Sequence, residues 1–323
     1  MRVGVIGAGL SGLVAARDLV ASGLEVTIFE KSRGLGGRIA TRRVDSTVID
    51  HGVPALWSSG PLAELAAGLD EAPLEISLPV GDSSGAPSSG PRPLAYPGGL
   101  TRLPKQLAEG LDVRRLVRVS VMRASGDAIE LGDEQGNGQG AFDGVVISAP
   151  APQAADLLAT LDSERARAGM LGAIAYEPAV IYIAGLVLPA HPPWFGVRGL
   201  GDGALSWLGV ESAKGRPAPG GRVPVTAHLN ATLSAELFDA TDAEIAEVVR
   251  PRLVEALGQA ASDPAWSQVK RWRYSVPTSR VPFVDANPAG SAIVVCGDAV
   301  ADEPGLDAVL ESGRRAAQRI AAT

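Results

Sequence analysis

Apolar residues fill Arg2–Ile6 almost continuously, then recur as Leu10, Leu13, Val14, Leu19 and Val20, then close up again over Glu25–Phe29. An unbroken apolar run bounded by glycine predicts a strand buried on both faces, and a spacing of three to four residues predicts a helix with one buried side. The pattern predicts a βαβ unit, with Gly23 stopping the helix and the two strands parallel because such crossovers are right-handed. Downstream, strand patterns cover Thr47–Asp50, Asp112–Met122, Ala128–Leu131 and Phe142–Ser148, the last three expected as a small antiparallel sheet. Helices are expected over Pro61–Leu69, from after Pro97-Gly98-Gly99 to near Gly110, and over Pro152–Leu161 and Asp242–Leu257. Strands are expected at Ala179–Leu188, Ala204–Val210 and Val223–Leu229, with a last strand, Ser291–Cys296, and a helix, Gly305–Ala321, ending the sequence. Gly81–Pro93, rich in Gly, Ser and Pro, reads as an exposed loop.

With 323 residues, the chain exceeds what one hydrophobic core usually supports, which predicts two regions. The first is expected to combine residues 1–55, 97–150 and 285–323, and the second residues 56–96 and 151–284. The formal net charge of -7 and pI near 5.1 argue against a nucleic-acid partner, which would need clustered Lys and Arg to neutralise phosphates. Cys296 is the single cysteine, so an internal disulfide is impossible and a cytoplasmic location is expected. No apolar window of about 18 residues is free of charge, so no membrane span is expected. His51, His191 and His228 are scattered without matching Cys or carboxylate spacing, and no metal site is expected.

Chemistry enters at Gly7-Ala8-Gly9-Leu10-Ser11-Gly12, a G-x-G-x-x-G pattern between the predicted strand and helix. The glycines allow a tight turn and close approach of backbone to a pyrophosphate, and the helix N-terminus offers free N–H groups and a positive dipole end. Glu30 lies eighteen positions after Gly12, at the end of the second strand, where its carboxylate can accept from ribose hydroxyls and repel a 2′-phosphate. These features alone fit NAD as well as FAD. Next comes Lys31, then Arg33-Gly34-Leu35-Gly36-Gly37-Arg38, in which Gly36 and Gly37 permit close passage over a cofactor and Arg38 can neutralise phosphate oxygens. Near the other end, Val294-Val295-Cys296-Gly297-Asp298 is an apolar strand closing on Gly-Asp.

In that order, the three motifs resemble the flavin-binding proteins related to amine oxidases, and more narrowly the renalase subfamily. The narrower likeness rests on Val3 through Arg43, Asp50-His51-Gly52, Leu111-Asp112-Val113, Val146–Pro150, Arg271-Trp272-Arg273-Tyr274 and Gly305–Gly313. The resemblance implies an α/β fold: a Rossmann-type FAD-binding domain with a parallel sheet, plus a discontinuous α+β substrate domain. It implies FAD as cofactor, with Val119 over the adenine, Arg38 at the pyrophosphate, Asp298 at the ribityl chain and Leu306 at the flavin edge. Enzymes of this type oxidise isomers of dihydronicotinamide by hydride transfer to flavin N5, with O2 as acceptor. A dihydropyridine that loses hydride becomes an aromatic cation, so the reaction needs orientation over N5 and no general base.

The sequence departs from the subfamily at Val53-Pro54-Ala55-Leu56, where Ala-Gln-Tyr-Phe is usual, and at Ala308, where Gly is usual. Amine oxidases often carry a lysine in the strand matching Ala179–Leu188, and none of Lys31, Lys105, Lys214 and Lys270 lies there. No catalytic residue is assigned. The pocket candidates are His51, otherwise a backbone-bonded turn histidine, and Trp272 and Tyr274, which share one face of a strand and otherwise pack in the core. An amine or polyene substrate, a non-catalytic flavin binder and an NAD-dependent dehydrogenase are the competing expectations.

Overall fold

The computed structural model describes residues 1–44, 46–200 and 202–323. The chain divides into two compact units, one built from Met1–Arg38, Leu103–Tyr176 and Val276–Thr323, the other from Ile39–Arg102 and Glu177–Ser275. Residues 39–55 and 97–102, expected with the nucleotide-binding region, thus belong to the second unit, and residues 151–176 and 276–284 belong to the first.

The first unit is a mixed α/β layer around a five-stranded sheet with order Ile293–Val295, Gly144–Ile147, Arg2–Ile6, Glu25–Glu30 and Asp112–Arg115. All neighbours run parallel. Val3, Val5, Ile28, Val145, Val146 and Val294 are wholly buried, as continuous apolar strands covered on both faces require. Leu10–Ala21 and Leu306–Ala321 are helices that pack closely, because Gly313 brings the second onto the first: a Cβ there would collide with the carbonyl oxygen of Ser11.

Two expected strands are corrected in this unit. Asp112–Met122 is not continuous: Asp112–Arg115 ends the parallel sheet, and Val119–Ser125 opens an antiparallel sheet with Ala128–Asp133 and Gly138–Phe142. The break falls at Leu116, whose φ of 63° is left-handed and reverses the chain. Phe142–Ser148 likewise divides, with Phe142 in the antiparallel sheet and Gly144–Ile147 buried and parallel between the first and last strands. Alternation suggested antiparallel pairing, but the partner of a strand is chosen by tertiary burial. A helix at Arg165–Gly172 was not foreseen.

In the second unit a six-stranded sheet has the order Trp266–Pro277, Tyr176–Leu186, Val223–Leu229, Leu205–Val210, Gly196–Leu200 and Val80–Gly81. One face packs Val180, Tyr182, Ala184, Val225 and Ala227 against Ile245, Val249 and Leu253 of the helix Asp242–Leu257. That helix starts with a capping box in which Thr241 and Glu244 satisfy each other's backbone N–H groups. On the opposite face Ile181 and Ile183 pack with Ile49, Trp266 and Trp272. Trp207 lies flat over Gly196 and Gly209, and Trp266 over Gly185, positions where a Cβ would displace the rings.

Candidate functional site

In the first unit the glycine-rich turn is built by necessity from small residues. Gly7 has φ +104°, a conformation that side chains avoid, and a Cβ at Gly12 would collide with the carbonyl oxygen of Gly7. Gly9 caps the first helix without a side-chain hydrogen bond, so the N–H groups of its first turn, at Leu10, Ser11 and Gly12, point into a site with no competing side-chain oxygen from the cap. Glu30 fixes the shape of this turn: one carboxylate oxygen accepts from the N–H of Ala8 at 2.9 Å and the other from the N–H of Ser32 at 2.7 Å. The following loop is stitched to the same turn, with Gly36 N–H donating to the Ala8 carbonyl at 2.8 Å and Gly9 bridged to Gly36. Gly37, at φ +56°, runs so near that an added Cβ would sit 3.7 Å from the Gly9 Cα.

The structure brings Arg38 and Asp298, 260 positions apart, into an ion pair through Asp298 Oδ2. Gly297, at φ +119°, turns the chain just before Asp298 and donates its N–H to Ser312 Oγ at 3.0 Å. Ser11 Oγ and Ser148 Oγ are 2.8 Å apart under the glycine turn. Burial raises the Cys296 thiol to about 11, so it stays protonated as a small buried group. Lys31 is exposed and donates to Gln153 Oε1 at 2.8 Å; burial of its stem, then Arg118, lowers its pKa. Val119 is buried at the start of its strand, and Leu306, half-buried, is the first residue of the last helix after Gly305.

His51 and Trp272 meet in the second unit. Their rings stack at 5.7 Å with an interplanar angle of 17°, and Trp272 Nε1 donates to the His51 carbonyl at 2.9 Å. The His51 backbone N–H donates to the Ala40 carbonyl at 3.0 Å, while its buried ring Nδ1 has no hydrogen-bond partner among the described residues. Burial, then Arg42 and Lys270, lowers the His51 pKa to about 4. His228, whose position opposite Ile181 puts it on the same sheet face as Ile181, is lowered to about 3 by burial, then Lys214 and His51. Tyr274 is half-buried two positions beyond Trp272 on the same strand.

Sequence patterns missed the ion cluster beside His51. Asp50 binds Lys214 Nζ at 2.9 Å and Arg216 at 2.6 Å, and Glu211 binds Lys214 at 2.7 Å and also pairs with Arg216. All four side chains are shielded from solvent. Thr41 Oγ1, at 2.6 Å, and the Leu100 N–H, at 2.9 Å, complete the shell of Asp50 Oδ1. Lys214 and Arg216 lie in and just beyond a short turn with nothing periodic about it, so only the fold marks them. Tyr176 and Arg280, which contact Asp298, were missed for the same reason. Among the described residues no three His, Cys, Asp or Glu side chains are placed to hold a metal ion, and no helix is long and apolar enough to cross a membrane.

The glycine turn, uncapped helix terminus and oriented Glu30 carboxylate fit a dinucleotide. Residues 5–72 match the family model for an NAD(P)-binding Rossmann-like domain, and residues 72–321, more than half of the chain, match that for flavin containing amine oxidoreductases. The chain belongs to the flavin containing amine oxidoreductase family. It is therefore an oxidoreductase, and flavin joined to a dinucleotide-binding βαβ unit means FAD. Among solved structures it is similar to a protein of Exiguobacterium sp. 255-15 described provisionally as a protoporphyrinogen oxidase, with TM-score 0.77 and 16% identity over 99% of this chain and 98% of that one. It is also similar to cyclohexylamine oxidase from Brevibacterium oxydans IH-35A, with TM-score 0.76 and 13% identity over 99% of this chain and 98% of that one. At such identities the likeness is one of fold. A 4,4'-diapophytoene desaturase of Staphylococcus aureus is 46% identical over 56 residues, which make up 17% of this chain and only 11% of that protein.

Proposed function

We propose that this flavoprotein is an oxidase of renalase type, taking hydride from a reduced nicotinamide-like substrate onto flavin N5, with O2 as acceptor. The observation that carries the proposal is the state of the basic groups in the second unit. His51, at about 4, is a weak base at neutral pH, and Lys214 is committed to two carboxylates. Such groups suit a donor that needs no proton removed, because hydride loss alone aromatises a dihydropyridine. Unlike that donor, an amine must present a deprotonated nitrogen, and of the two lysines of this unit Lys214 is not free to manage that proton, while Lys270 lies over the Trp272 ring.

When bound, FAD supplies the hydride acceptor. The chain's part is to hold it: the Gly7–Gly12 turn and first helix at the pyrophosphate with Arg38, Glu30 and Lys31 at the ribose end, Val119 at the adenine, Asp298 at the ribityl chain, and Gly297 and Leu306 beside the flavin. His51, Trp272 and Tyr274 remain the proposed substrate-facing groups, with the His51–Trp272 stack supplying a flat aromatic surface beside the Lys270 ammonium, 4.6 Å from the Trp272 ring centroid.

A second reading, oxidation of an amine, is favoured by the family description, and a polyene by the short desaturase match. Anaerobic titration of the yellow holoprotein separates them. Bleaching of the flavin bands by a dihydronicotinamide isomer, with hydrogen peroxide formed on admitting air, is the expected result. An oxidised spectrum that persists with every such isomer, yet bleaches with an amine or a polyene, would overturn the proposal.

A further inference from the structure

Two stretches of chain at the edges of the first unit converge on one residue of the cofactor site. Tyr176 is the last residue of that unit before the chain enters the second, and Val276 is the first after it returns. The stretches are tied together where the Thr278 N–H and hydroxyl both donate to the Ala175 carbonyl, at 2.9 and 3.1 Å. From one, the Tyr176 hydroxyl donates to Asp298 Oδ1 at 3.0 Å; from the other, Arg280 Nε donates to the Asp298 carbonyl at 3.2 Å. Arg38 holds the remaining carboxylate oxygen, Oδ2.

We propose that Tyr176 is a positioning residue for the cofactor site, orienting the Asp298 carboxylate through its phenolic hydroxyl. This rests on the assignment of Asp298 to the cofactor. A carboxylate on a turn can rotate about its side-chain torsions, and a single partner on Oδ2 leaves that freedom largely open. A second donor on Oδ1 fixes the plane, while each oxygen keeps a lone pair for a ligand hydroxyl. The phenol is itself anchored, since its oxygen accepts the N–H of Ala151, the first residue of the helix Ala151–Leu158, at 3.2 Å. That N–H has no partner within its own helix, so one hydroxyl satisfies a helix terminus and aims a carboxylate at once. Burial, then the Asp298 carboxylate, raises the Tyr176 pKa, which keeps the hydroxyl a donor throughout the working pH range. Nothing in the local sequence marks this tyrosine.

The test is a double-mutant cycle on FAD affinity, read by titrating FAD into the full-length apoprotein, with the visible flavin spectrum and the apoprotein melting temperature as second readouts. Tyr176→Phe is expected to raise the FAD dissociation constant about tenfold, equivalent to about 1.4 kcal/mol. It should also shift the flavin absorption bands, and lower the apoprotein melting temperature only by the small amount that loss of the Ala151 contact costs. Tyr176→His, which retains a ring donor, should recover part of the affinity, and carries the same cycle if the Phe variant does not accumulate. In an Asp298→Asn background the Tyr176 substitution should add nothing. A full Tyr176→Phe effect in that background, or a lowered melting temperature with unchanged FAD affinity, overturns the proposal. If Asp298→Asn weakens FAD and Tyr176→Phe does not, the inference alone falls; if Asp298→Asn has no effect, the assignment of Asp298 falls with it.

Discussion

Lys214 places its ammonium 2.9 Å from the carboxylate of Asp50, 164 positions earlier in the chain, with both side chains wholly removed from solvent. Glu211 and Arg216 complete the cluster, whose two carboxylates and two cations leave no formal net charge. Each ion alone would be prohibitively costly to bury, so the four hold one another in place, and Asp50 fixes the backbone from which His51 projects.

Lys214→Met should accordingly cost about 3–5 kcal/mol of unfolding free energy, because it leaves a buried carboxylate without its partner. Urea unfolding of the holoprotein measures the loss, and a change below 1 kcal/mol would contradict the arrangement. Acid should act the same way on the native protein. Burial raises the Asp50 pKa, but Lys214, Arg216, Thr41 and the Leu100 N–H more than offset it, and the net shift is downward. Stability from a lowered carboxylate is present above the unfolded pKa near ~4 and is lost as pH falls through the lower folded value.

His51 gives a second pH signature at milder acidity. Its pKa is about 4 in the fold, against an ordinary imidazole value of 6.5. The unfolded chain therefore takes up a proton between these values while the native one does not, so stability falls as pH drops from 6.5 and levels off below about 4. The difference is worth on the order of 3 kcal/mol. His228 contributes with the same sign. His51→Gln should reduce the slope of unfolding free energy against pH in this window by about one proton. An unchanged slope would show that His51 titrates normally.

Two glycines of the nucleotide turn region make a controlled pair. Gly12→Ala puts a methyl group into the Gly7 carbonyl, whereas Gly34 has open space around it. Protein purified with Gly12→Ala should carry little or no flavin, and Gly34→Ala should keep the native flavin-to-protein ratio. Retained flavin in the Gly12 variant would mean that the first helix does not pack on the turn as described.

Glu30 acts before any ligand arrives, since both its oxygens already hold backbone N–H groups of the turn and loop. Glu30→Ala should weaken FAD binding at least tenfold, about 1.4 kcal/mol or more, through loss of charged hydrogen bonds and of turn geometry. Glu30→Gln, which keeps one acceptor oxygen, should fall between, as measured by FAD titration of the apoproteins.

The parts of the site legible in the sequence are those built from contiguous residues. Gly7 to Gly12, Glu30, and Gly36 to Arg38 lie within one βαβ unit and its following loop, where local periodicity and glycine spacing dictate geometry. Gly297-Asp298, at the end of an apolar strand, was singled out only through the family resemblance. What escaped were strand partners and long-range polar contacts. Val145 and Val146 alternate with nothing polar and could have joined either sheet; burial on both faces put them in the parallel one. Tyr176, Glu211, Lys214 and Arg216 follow no period, because a hydrogen bond or ion pair across more than a hundred residues imposes no local pattern, and Arg280 reaches Asp298 across 18 positions with no pattern either.

By itself, then, the sequence determined the α/β class, the βαβ turn and the dinucleotide chemistry, since these depend on short-range sterics and on the switch between strand and helix periods. Tertiary structure alone decided that Arg38 meets Asp298, that Tyr176 steadies that carboxylate, and that Lys214 is spent on Asp50 and Glu211. The physical reason is the same in each case. A charge or hydroxyl meets a partner distant in sequence only when packing brings the two elements together, and which two residues are brought together is a property of the folded core.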